Sequence, residues 1–87
     1  MSELRIHQLS FTGDSMRVAF SDERNIVVAL GDFPRLRKAR LAELEQWRLI
    51  GRGLGVHWPL LDEDLSVENI LAAYSRAKAG TYAQVAP

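Results

Sequence analysis

Polar and apolar residues alternate through the first third of the chain, and the apolar ones recur at helical spacing after it. Met16, Val18 and Phe20 take every second position, with Ser15, Arg17 and Ala19 between them. That is the pattern of a strand with one buried face. Upstream, Leu4, Ile6 and Leu9 give a looser alternation, and Thr12-Gly13-Asp14-Ser15 marks a turn. Downstream, the polar run Ser21 to Asn25 is a second break, followed by the β-branched stretch Ile26-Val27-Val28-Ala29-Leu30. Connections this short predict an antiparallel meander of three strands.

From Pro34 the period changes. Pro34 suits the first position of a helix, and Leu36, Ala39, Leu41 or Leu44, and Trp47 then recur three to four residues apart. The spacing fits one central helix or two short ones. Gly51-Arg52-Gly53-Leu54-Gly55 predicts a tight reversal between short extended pieces, Trp47 to Ile50 before it and Val56 to Trp58 after it. Pro59 stops further pairing on its own side. The last helix is the best signalled: Ser66 as N-cap, Glu68 in the first turn, and Leu65 with Ile70 as a hydrophobic staple. Ile70, Leu71, Ala73 and Tyr74 form its buried face, and Gly80 is its expected stop.

With 87 residues, 47% apolar and 25% charged, the chain is sized for one domain with a small core. A chain of this length buries about 60–65% of its unfolded surface. The expectation is a single α+β domain over residues 1–80: an N-terminal three-stranded antiparallel meander, a central helix, short extended segments around the glycine-rich turn, and a C-terminal helix packed on the sheet. Residues 81–87 read as a loosely held tail.

Eleven basic side chains balance eleven acidic ones. This neutrality argues against gripping nucleic acid by bulk charge, although it leaves a local patch open. The chain has no cysteine, which rules out disulfides and thiolate chemistry. Its N-terminus lacks a signal-like apolar run, and no run is long enough to span a bilayer, so a cytoplasmic protein without membrane attachment is expected.

Three stretches carry candidate chemistry. Arg35, Arg37, Lys38 and Arg40 form a basic cluster, either a solvated helix face or a contact for an acidic partner. The string Gly51, Gly53, Gly55 imitates a dinucleotide loop, but Val56-His57-Trp58-Pro59 follows where a helix would be required. His57 with Asp62, Glu63 and Asp64 suggests a cation site or a small hydrolase. Zinc asks for more histidine than His7 and His57 supply, calcium loops want spaced oxygens around a glycine, and Ser66 is taken by its cap. A structural role for this stretch is preferred, with Trp58 as a core plug and the acids at the entry to the last helix. No catalytic residue, metal or cofactor is assigned.

Gly55-Val56-His57-Trp58-Pro59, followed by Leu61-Asp62-Glu63-Asp64-Leu65-Ser66-Val67, closely resembles the signature of the bacterial family known as domain of unknown function 2442. Phe33-Pro34-Arg35-Leu36 and Trp47-Arg48-Leu49-Ile50-Gly51 resemble it as well, and the likeness runs from about Leu4 to Tyr74. It marks Trp47, Gly51, Gly55, Trp58, Pro59, Asp62, Asp64 and Ser66 as signature positions. The chain departs where members often carry Ser or Thr and then Pro, since it has Arg40 and Leu41 there. The missing cap suggests a helix starting nearer Pro34. Leu60 replaces a frequent acid, and the helix-turn-helix domain that some longer members resemble carrying is not expected here. Members often adjoin a second small gene in a toxin–antitoxin-like arrangement. The resemblance therefore implies a small α+β interaction module, antitoxin-like, that binds a small cognate protein. The expected partner surface is Arg35, Arg37, Lys38, Arg40 and His57. The alternatives are a dimeric nucleic-acid-binding regulator and, behind it, a metal-dependent hydrolase using His57 with Asp62 or Asp64.

Overall fold

The computed structural model describes the backbone of residues 4–85 and the side chains of residues 4–78. The first three strands form as the alternation predicts: β1 (Ile6–Thr12), β2 (Ser15–Phe20) and β3 (Asn25–Ala29), paired antiparallel in that order. Leu9, Val18 and Ile26 stand in one cross-strand row, and Phe11, Met16 and Val28 in the next. The loose start of β1 has a physical cause. Ile6 and Leu9 lie three positions apart and would face opposite sides of a regular strand. A register shift between Ile6 and Gln8 accommodates the extra residue, so both side chains are buried while His7 and Gln8 are exposed. Gly13, at φ 56°, opens the two-residue β1–β2 turn, where a type II′ geometry asks for glycine.

The expected central helix is two four-residue helices, α1 (Pro34–Arg37) and α2 (Leu41–Leu44). Arg40 is extended between them, at φ −81° and ψ 156°. Its guanidinium has no acceptor with which to cap the next turn. Glu43 supplies half of a capping box instead, its carboxylate accepting the Arg40 backbone N–H at 2.9 Å. The helix therefore does not run continuously from Pro34, as the missing Ser/Thr-Pro pair had suggested.

The extended pieces around the glycines form a second antiparallel sheet of β4 (Arg48–Ile50), β5 (Gly55–Trp58) and β6 (Glu63–Ser66), in that order. The third strand corrects the expectation that the acids merely precede the last helix, because Glu63 and Asp64 are strand residues. Gly51 and Arg52 take positive φ in the reversal, and Gly53, at φ 91°, presses on β1. A Cβ on Gly53 would stand 2.7 Å from the Ile6 carbonyl oxygen. Arg5 reinforces this junction by donating from Nη1 to the Arg52 carbonyl at 2.9 Å. β5 ends at Trp58, as Pro59 requires.

α3 (Val67–Val85) lies against β3 and β6, one strand from each sheet. Its start is a reciprocal cap: Ser66 Oγ accepts the Asn69 N–H at 3.0 Å, and Asn69 Oδ1 accepts the Ser66 N–H at 2.9 Å. The staple residues Leu65 and Ile70 are both buried. The helix continues through Gly80, which therefore does not stop it. Residues 81–85, expected as a loosely held tail, are the last residues of this helix, and residues 86–87 lie outside the described residues. One core joins the elements, with Met16, Val18, Leu36, Val56, Trp58 and Ile70 at its centre and half-buried Trp47 packed against it.

Candidate functional site

The outer face of the second sheet carries the histidine. Arg48, His57 and Asp64 form one cross-strand row on it, and Ile50, Gly55 and Ser66 form the next. His57 Nδ1 meets Asp64 Oδ1 across the strands. Trp58, one residue on, points the other way into the core, where its indole Nε1 donates to the Leu44 carbonyl at 2.9 Å. The three consecutive acids diverge. Asp62 lies in the turn at φ 50°, Glu63 stands opposite Trp58, and Asp64 alone reaches the histidine. Among the described residues, no three His, Asp or Glu side chains are grouped to hold a metal ion. An aspartate can orient an imidazole in this way, but the hydroxyl in the neighbouring row of that face belongs to Ser66, whose Oγ is engaged by the α3 cap.

The basic cluster lies elsewhere and its members differ. Arg35 donates from Nη1 to the Leu61 and Asp62 carbonyls at 3.3 and 3.0 Å, tying α1 to the turn after Pro59. Arg40 stays near Glu43, with Nε 3.9 Å from Oε1. Arg37 and Lys38 are exposed and make no ion pair or side-chain hydrogen bond among the described residues. Arg37 stands at a cleft of about 570 Å³ between the β1–β2 turn, the end of β3 and the two short helices. Phe11, Leu36, Ala39, Leu41 and Leu44 give that cleft apolar walls, and Asp14 places one acid at its rim. Leu41 is 55% exposed and forms the open side of the apolar lining.

The five expected partner-surface residues therefore do not share a face. Trp58 reaches α2 from the inner side of the second sheet, whereas His57 projects from its outer side. The sequence reading also missed two surfaces. One is the cleft, whose walls come from segments far apart in the chain. The other is the β4 edge, where Leu49 and Ile50 are open to solvent with Leu54 nearby. The pair Leu49-Ile50 before a glycine was visible in sequence, but its exposure was not.

Among the described residues no helix is long and apolar enough to cross a membrane. No curated protein matches the chain. A crystal structure of a protein of unknown function from Rhodospirillum rubrum is similar, with a TM-score of 0.72 and 23% sequence identity over 82% of this chain and 88% of that one. At that identity the likeness speaks for the fold. The model of the family described as protein of unknown function (DUF2442) matches residues 6–84, and that span includes the signature positions from Trp47 to Ser66. The chain belongs to that family.

Proposed function

We propose that the chain is a non-enzymatic protein-interaction module, antitoxin-like in role, that binds a segment of a small cognate protein in the cleft beside α1 and α2. The observation that carries this reading is the pairing of an apolar cleft with two uncommitted cations. Arg37 borders walls formed by Phe11 and Leu41, exposed Lys38 follows it in the chain, and neither makes an ion pair among the described residues. A segment presenting an apolar side chain flanked by carboxylates matches both features. The apolar contact supplies affinity, and the charges steer encounter and set register. Arg35 is tied to the turn after Pro59 and the Arg40 guanidinium lies 3.9 Å from Glu43, so Arg37 and Lys38 are the members of the cluster without an assigned contact.

Tagged chain purified from its native host should retain one small protein at near-equal amount. The double substitution Arg37→Glu with Lys38→Glu should lose it while the melting temperature stays unchanged, because both side chains are exposed. Retention by the charge-reversed chain would place the partner on another surface.

A further inference from the structure

Among the described residues, the outer strand of the second sheet is guarded by little besides its shortness and one charge, Arg48. Natural edges are guarded by short length, charge, proline, bulges or a covering element. β1, an edge of the first sheet, has a register shift and exposed His7 and Gln8. On β4 all three residues are exposed, and two of them are apolar: Leu49 at 37% and Ile50 at 40%. Leu49 belongs to the inner-face row Leu49–Val56–Leu65, in which Val56 and Leu65 are buried and Leu49 alone is left open.

We propose that β4 pairs antiparallel with β4 of a second copy of this chain, about a two-fold axis at Leu49, joining the two second sheets into one. A two-fold interface must be self-complementary, and the side-chain pattern of β4 meets that condition in one register. Pairing has to match inner face with inner face, which permits shifts of two residues only. Centring on Arg48 sets Arg48 against itself. Like charges directly opposite each other are unfavourable in a sheet. Centring on Ile50 sets Leu49 against Gly51, which has left the strand at φ 57°, so Ile50 alone of β4 would pair. Centring on Leu49 sets Leu49 against itself and Arg48 against Ile50, with no opposed like charges. In that register the inner-face row continues without a break through Leu65, Val56 and Leu49 into the second copy's Leu49, Val56 and Leu65. The zero net charge of the chain removes long-range repulsion between copies. A three-residue strand covers less than the ~1,000 Å² of a standard stable interface, so the dimer dissociates on dilution. This proposal does not rest on the cleft beside α1, and the two fail independently.

The test is sedimentation equilibrium of the full chain over a concentration series reaching about 1 mM, where even a pairing of roughly 4 kcal/mol is visible. The native chain should shift from monomer to dimer. Leu49→Lys and Leu49→Glu should each weaken self-association by about tenfold or more, through facing like charges on the axis. An equimolar mixture of the two variants should recover the dimer, and circular dichroism of each should match the native chain. A native chain monomeric throughout the series overturns the proposal, as does a Leu49→Lys chain that associates like the native one.

Discussion

Trp58 joins the second sheet to the helices, and replacing it by phenylalanine separates its two contributions. The ring is completely buried, and its Nε1 donates to the Leu44 carbonyl at 2.9 Å. Leu44 is the last residue of α2, so its carbonyl is one that a helix C-terminus leaves without an intrahelical partner. Trp58→Phe keeps an aromatic plug but strands that carbonyl in the core. Leaving a buried acceptor unsatisfied costs about 1–3 kcal/mol. For a domain of this size, each kcal/mol lowers the melting temperature by about 4–8 °C, which predicts a fall of about 4–24 °C. Trp58→Ala adds a cavity and should cost about 3–5 kcal/mol, a large share of the ~5–15 kcal/mol that holds a small domain folded. Urea and thermal unfolding followed by far-ultraviolet circular dichroism measure both variants. Trp47, the remaining tryptophan, provides a fluorescence signal in each. A Trp58→Phe chain melting within about 2 °C of the native one would refute the reasoning, because the indole bond would then contribute nothing net.

Gly53→Ala should destabilise the chain by about 1–3 kcal/mol or more, since φ 91° is strained for any other residue and the new Cβ would meet the Ile6 carbonyl; chemical denaturation reads it directly. Ser66→Ala and Asn69→Ala should each cost about 0.5–2 kcal/mol by removing one arm of the α3 cap, with faster amide exchange in the first turn of that helix as the local signature. Asp64→Asn should change stability by about 1 kcal/mol at most, because the aspartate of the His57 pair is largely exposed; a loss comparable to that of Trp58→Ala would mean that the faces of β5 are misassigned.

The elements that were legible are those whose packing follows the local period. β2 and β3 alternate, and α3 announces itself by a cap and a staple, so no distant partner was needed to find them. β6 was not legible: Glu63-Asp64-Leu65-Ser66 has low strand propensity, and its pairing with β5 comes from backbone geometry and the His57–Asp64 contact. The division between α1 and α2 had a faint signal in Glu43, three residues after Arg40, which a search restricted to Ser or Thr caps passes over. At the candidate site the residue types were visible but their commitments were not. Arg35 and Arg37 look alike in sequence, yet one is bonded to carbonyls 26 and 27 positions away and the other is left to solvent. Cleft walls assembled from β1, β3, α1 and α2 exist only after folding.

Amide hydrogen exchange, comparing the free chain with the chain bound to its co-purified partner, tests the interaction surface most directly. The account predicts new protection in residues 36–44 and at the Gly13–Asp14 turn, with little change around His57. Protection confined to the outer face of the second sheet, with the cleft exchanging as in the free chain, would contradict it.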